Sequence, residues 1–134
     1  MTTTNTNATT TGVKVWFMSP HSTTIETRRV PTYRAYNAFK ELLCCERVEW
    51  QGFRTLDGRD YCVIMDEEGS FKNTLPNKIA KRLIGKVKNI LWGEFTGNWL
   101  VVQYIDMGKD TEHLGDMDLT PTEFITLFNR AMAR

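Results

Sequence analysis

The segment Tyr61–Gly93 constrains the fold more than any other stretch of the chain. It opens on an apolar run, Tyr61-Cys62-Val63-Ile64-Met65, closed by Asp66-Glu67-Glu68-Gly69. A run with no polar alternation reads as a strand covered on both faces. After a Leu75-Pro76-Asn77 corner comes a basic stretch, Lys78-Ile79-Ala80-Lys81-Arg82-Leu83-Ile84-Gly85, and then a second apolar run, Ile90-Leu91-Trp92-Gly93. Pro76 presets the backbone, Asn77 is a natural N-cap, and Gly85 stops the helix as a C′ residue. Ile79, Leu83 and Ile84 face inward, and Lys78, Lys81 and Arg82 face water. The order is strand, acidic turn, helix, strand, and the other segments pack on that unit.

Val13–Met18 alternates into a continuous apolar run and is expected as a first strand. Ser19-Pro20-His21-Ser22 stops it. Thr23–Val30, rich in β-branched residues, is expected to pair with it as a hairpin at a sheet edge. Pro31 ends that strand and Thr32 can cap the next element. Tyr33–Cys45 is expected as a helix, with Ala35, Tyr36, Phe39, Leu42 and Leu43 on one face. Its aromatics share the stripe of the leucines, so they belong to the core rather than to a stacking platform.

Arg47–Phe53 alternates with a period of two, and Asp57-Gly58 is a tight-turn signal leading into Tyr61–Met65, so residues 47–65 read as a β-hairpin. Ile90–Phe95 and Trp99–Ile105 are expected as two further strands around a Thr96-Gly97-Asn98 loop. Asp106–Asp118 reads as an acidic loop. Thr120-Pro121-Thr122-Glu123 then supplies N-cap, N1 proline and N3 glutamate, a capping box, and opens a helix with Phe124, Leu127, Phe128 and Ala131 on one face.

About six strands and three helices without regular βαβ alternation define an α+β fold: one antiparallel or mixed sheet with helices packed on it. The chain has 134 residues, 41% of them hydrophobic and 25% charged, with a net charge of +1. That length is one domain, read as 13–134 behind a Thr/Asn-rich flexible tail, 1–12. The tail has no hydrophobic core of the secretory kind, and no apolar run approaches the roughly 18 residues of a membrane span.

A net charge near zero removes the simplest case for nucleic acid, but the distribution is uneven. From Lys72 to Lys88 there are six positive charges and no acid, whereas from Glu94 to Glu123 there are seven acids against Lys109 alone. Three cysteines, Cys44, Cys45 and Cys62, lack any zinc spacing, and His21 and His113 are isolated, so the thiols read as buried or half-buried in a reducing compartment. The carboxylates Asp66, Glu67 and Glu68 could in principle do acid/base work or hold a divalent ion. Consecutive residues on extended chain point to alternate faces, however, so solvated charges at a strand end are the simpler reading. The acidic stretch Asp106, Asp110, Glu112, Asp116, Asp118 lacks the spacing that fixes calcium ligands. With no nucleophile or phosphate-loop motif either, the residues point to no catalytic group, metal or cofactor.

Met65-Asp66-Glu67-Glu68-Gly69 followed by Leu75-Pro76-Asn77-Lys78-Ile79-Ala80 resembles a small domain of unknown function common in bacteriophages, plasmids and conjugative elements and found in some large DNA viruses. Members of that family run strand, Asp/Asn-Glu-Glu-Gly, a Leu-Pro-x-Asn-Arg-x-Ala helix, then an apolar-Gly strand. Asp66, Glu67, Glu68, Gly69, Leu75, Pro76, Asn77, Ala80 and Gly93 match, with Lys78 in place of the usual arginine and no residue between Pro76 and Asn77 where the pattern has one. The Leu119–Glu123 helix start and the Val13–Val30 strand pair are similar too, so the resemblance spans about 13–130. It implies a mobile-element or viral origin and an intracellular accessory role, in host cytoplasm or in the virion, and it brings no catalytic residues.

The expectation is a non-enzymatic viral or phage accessory protein that binds a host or viral protein, or a small anionic ligand. The candidate residues are Asp66, Glu67, Glu68, Lys72, Asn77, Lys78, Lys81 and Arg82. Two alternatives stand beside it: a structural component of a virion or larger assembly, with homo-oligomerisation, and a nucleic-acid-binding protein using the basic helix.

Overall fold

A computed structural model of the chain describes residues 12–32, 34–54, 58–68, 75–85, 95–106 and 112–132. The strands are β1 (Val13–Met18), β2 (Glu26–Val30), β3 (Val48–Arg54), β4 (Asp60–Asp66), β5 (Trp99–Asp106) and β6 (Glu112–Gly115); the helices are α1 (Tyr36–Leu43), α2 (Lys78–Ile84) and α3 (Pro121–Met132). The six strands form one sheet, ordered β2-β1-β5-β4-β3, with β6 also on β5. Every described pairing is antiparallel. This is the single-domain α+β arrangement that the segment pattern predicts.

The sheet has two apolar faces because its side chains alternate. On one face Val13, Val15, Cys62, Ile64, Leu100 and Val102 pack under α1 through Phe39 and Leu43. On the other, Trp16, Met18, Tyr61, Val63 and Trp99 pack against Ile79, Leu83 and Ile84 of α2 and Phe124 of α3. Phe124 has no exposed surface and meets Trp16 and Tyr61 edge-on, at centroid distances of 5.1 and 5.9 Å. Truncating a fully enclosed phenylalanine of this kind costs about 3–5 kcal/mol, and Ile125, partly buried, packs on the same cluster.

β4 and β5 are covered on both faces, and their apolar runs show it: Tyr61–Ile64 and Trp99–Val102 are buried without a break. The β3–β4 hairpin pairs Val48 with Asp66 through to Arg54 with Asp60, as expected for 47–65. Gly58, ahead of β4, has φ +87°, a conformation open to glycine, and Asp57 of the expected turn lies outside the described residues. At the start of α3 the capping box forms. The Thr120 N–H donates to Glu123 Oε1 at 2.9 Å and the Glu123 N–H donates to Thr120 Oγ1 at 3.2 Å.

Three expectations change. The first helix is Tyr36–Leu43 rather than 33–45. Arg34 is left-handed at φ 57° and interrupts the approach from Thr32, and Ala35 caps the helix without a side-chain bond. The stretch expected as an acidic loop contains β6, whose Leu114 pairs with Tyr104 and is buried. β1 covers only Trp99–Val101 of β5, so Gln103–Asp106 had the same side open, and β6 occupies it. Gly85 ends α2 in a right-handed conformation, φ −62°, with its N–H donating to Lys81 O, so the left-handed C′ geometry is absent there. The expected Ile90–Phe95 strand, except Phe95, lies outside the described residues, as do residues 1–11 of the tail, residues 107–111 of the expected loop, Lys72 and Gly93.

Candidate functional site

One end of the sheet gathers the chain's chemistry. The ends of β1 and β4 and the start of β5 meet there, since Met18 and Met65 both oppose Trp99. Asn77 lies beneath this rim with no exposed surface. Its Nδ2 donates to Met18 O at 3.0 Å and to Gly97 O at 2.7 Å, and its Oδ1 accepts the Ala80 N–H at 3.0 Å. Its backbone N–H donates to Phe95 O at 2.7 Å, and Pro76 bridges to Thr96. Asn77 therefore ties β1, the segment before β5 and the first turn of α2 to one side chain. It positions the corner from inside and presents nothing to solvent.

The acidic turn sits on the same rim. Asp66 Oδ1 accepts the Glu68 N–H at 2.9 Å, which folds the turn, and the Glu67 N–H donates to Arg47 O at 3.1 Å, which fastens it to the loop after α1. Asp66 and Glu68, two residues apart, line an open groove of about 740 Å³. Its other walls are Asn37, Lys40, Glu41 and Cys44 from the outer side of α1 and Cys45, Glu46 and Arg47 from the following loop. Glu67 is exposed and does not line it. The groove carries two cations, Lys40 and Arg47, against four carboxylates, Glu41, Glu46, Asp66 and Glu68. Lys40 Nζ also lies 5.2 Å from the Tyr36 ring centre, and Tyr36 stands 6.3 Å from Trp50 on β3. Trp50 is 48% exposed, and Tyr36 is 41% exposed rather than in the core as its place on the helix's apolar stripe predicted; Phe39 and Leu43 are the helix residues that are buried. The aromatic pair does not line the groove; it is joined to it through Lys40, which does.

The basic residues are elsewhere. Lys78, Lys81 and Arg82 are exposed on α2, which packs on the face of the sheet opposite α1. The expected polar corner, Asp66 to Arg82, is thereby divided: acids open onto the α1 side and cations onto the α2 side. Sequence spacing did not single out the α1 wall of the groove. Its signal was the polar stripe Asn37, Lys40, Glu41, Cys44, spaced i, i+3, i+4, i+7 on the reverse of the apolar one.

A second polar cluster joins β4 to the segment after β6. Tyr61, 1% exposed, donates to Asp118 Oδ1 at 3.2 Å, and Arg59 reaches Asp118 Oδ2 at 3.0 Å and the Tyr61 hydroxyl at 3.4 Å. Burial, and then the Asp118 charge, push the phenol up to about 12. It therefore stays protonated at ordinary pH and serves as a fixed donor. Among the described residues no group of three or more His, Cys, Asp or Glu side chains is arranged to hold a metal ion, and no helix is long and apolar enough to cross a membrane.

Fold and site together define a small α+β domain with helices on both faces of its sheet and one acid-rich groove at the sheet's end. No family model, curated protein or solved structure matches the chain.

Proposed function

We propose that this chain is a non-enzymatic binding module, an accessory protein of the type implied by its resemblance to phage, plasmid and large-DNA-virus domains, and that its partner is a protein. The supporting observation is the groove at Asp66 and Glu68, whose lining residue Lys40 lies over the ring of Tyr36, next to Trp50, both of them exposed. Tryptophan and tyrosine beside a polar depression are the composition of an interface anchor, where single side chains carry about 2 kcal/mol or more. The charge of the lining selects the partner's chemistry. With four carboxylates against two cations, a segment bearing lysine or arginine is attracted and a nucleotide is repelled. A small anionic ligand is therefore the weaker of the two partner classes.

The test is a photo-crosslinking residue placed at Asn37 in the groove or at Lys81 on the opposite face, in lysate of the host cell. Discrete protein adducts from position 37, absent from position 81 and lost with Trp50→Ala or with Asp66→Lys, are expected. Identical adducts from both positions, or adducts unaffected by both substitutions, would count against the reading. Tight nucleotide binding by titration calorimetry, or nucleic-acid binding that falls steeply with salt, would replace it with an anion-binding one at Lys78, Lys81 and Arg82.

A further inference from the structure

Two thiols sit where the groove wall turns from α1 into the following loop. Cys44 is exposed, against the expectation of a buried or half-buried thiol, because it stands just past the end of α1 on its polar side; Cys45 is half-buried as expected, and both line the groove. The third thiol, Cys62, is buried in the sheet beneath α1. Cys44 closes the helix with φ 55° and ψ 48°. The Cys44 N–H donates to Glu41 O at 3.2 Å and the Cys45 N–H to Lys40 O at 3.1 Å, the paired bonds of a Schellman motif with Cys44 at its left-handed position. That position favours glycine, and any residue with a Cβ costs about 1–2 kcal/mol there. Glycine would form the same two backbone bonds without the cost. What cysteine adds is an exposed thiol that lines the groove beside a second one and donates to Glu41 O at 3.6 Å.

We propose that Cys44 and Cys45 are a vicinal dithiol that exchanges with low-molecular-weight disulfides, Cys44 taking the first bond and Cys45 resolving it. In the first step the Cys44 thiolate attacks one sulfur of R–S–S–R, forming Cys44–S–S–R and expelling RS⁻. In the second the Cys45 thiolate attacks Cys44 Sγ and expels the other RS⁻, leaving a Cys44–Cys45 disulfide. One disulfide is reduced to two thiols, two cysteine thiols are oxidised to one disulfide, and the two protons leave with the departing thiolates. Exposure makes Cys44 the point of attack, as thiol exchange is governed by access as well as acidity. Adjacent Cα atoms stand about 3.8 Å apart across a trans peptide, below the roughly 4.4–6.8 Å that relaxed disulfides span. The closed ring is therefore strained and readily reduced, so the pair stays open against a reducing thiol pool and closes in an oxidising one.

The test applies glutathione disulfide to the full, folded chain at high ionic strength, which screens the groove's carboxylates from those of the reagent, followed by intact-mass and peptide mass spectrometry. Wild type is expected to end two hydrogens lighter with no glutathione attached. Cys45→Ser, with Cys45→Ala run beside it, is expected to stop with one glutathione on Cys44. Cys44→Gly, which suits the left-handed backbone, is expected to take glutathione at Cys45 at least about tenfold more slowly than wild type reacts at Cys44. Faster labelling of Cys45 or Cys62 than of Cys44 would overturn the assignment. So would a wild type that holds one glutathione on Cys44 as stably as the Cys45 variants do.

Discussion

Asn77 donates from its carboxamide to the Met18 carbonyl at 3.0 Å, joining residues 59 apart in the chain at a point with no solvent access. The same side chain holds Gly97 O and the Ala80 N–H. A single amide thus satisfies three backbone groups that the packing of α2 under the sheet would otherwise strand.

Replacing Asn77 by alanine removes a helix cap, worth about 1 kcal/mol, and leaves the buried Met18 carbonyl without its donor, at about 1–3 kcal/mol, and the part-buried Gly97 carbonyl without its own, at about 1 kcal/mol or less. A total loss of about 2–5 kcal/mol is expected from urea denaturation. Asn77→Asp, which keeps the acceptor but brings a carboxylate against Met18 O and Gly97 O, is expected to be at least as damaging. A loss under about 1 kcal/mol for both would show that the corner is not held from Asn77.

Cys44→Gly is expected to stabilise the domain by about 0.5–1 kcal/mol, the relief of left-handed strain less the added freedom of glycine in the unfolded chain. Cys44→Val, β-branched at the same φ of 55°, is expected to lower the denaturation midpoint. If glycine and valine behave alike, helix closure does not use the left-handed geometry.

Tyr61 ties stability to high pH. Its folded-state phenol is raised from 10.0 to about 12 by burial and by Asp118, so the folded state favours the protonated form. The associated stability is complete below the unfolded value, declines above about 10 and is lost as pH passes about 12. Tyr61→Phe should cost about 1 kcal/mol at neutral pH, the typical worth of its hydrogen bond, and should flatten the alkaline limb of a melting-temperature profile. An unchanged alkaline limb would count against the Tyr61–Asp118 link.

Glu123 acts at the opposite end of the scale. Backbone donation from Thr120 holds its carboxyl below the ordinary value, so its contribution is present above the unfolded pKa and disappears as pH falls through the folded one. Glu123→Gln keeps an acceptor in the capping box but cannot titrate. The variant's melting temperature should therefore fall less than the wild type's between about pH 6 and pH 3, and coincident acid limbs would remove the box from the acid response.

The local chemistry of the chain was plain in its residues. Pro76-Asn77 and Gly85 bound α2, Thr120-Pro121-Thr122-Glu123 starts α3, and the unbroken apolar run from Tyr61 marks a strand covered on both faces. Each is a short-range signal whose physical cause lies within a few residues: a fixed φ, an orphan N–H satisfied by a nearby oxygen, or burial that permits no polar alternation. β6 was hidden for the opposite reason. Four residues, Glu112–Gly115, with one buried aliphatic side chain make a strand only because β5 offers a vacant edge beside them.

The same division applies to the site. The residues alone put Asp66, Glu68, Asn77 and the α2 cations within one short stretch of chain, and Cys44 and Cys45 at the end of a helix. Tertiary structure decided where each of them points. β4 sends Asp66 to the α1 face while α2 packs beneath the other, so residues close in the chain are separated by the thickness of the sheet. The polar stripe of α1, distant in sequence from Glu68, becomes the facing wall of its groove. Asn77, legible as a cap, acquires its two further partners only when β1 and the Gly97 turn arrive from remote parts of the chain. Register and packing carry that information, and no window of neighbouring residues contains it.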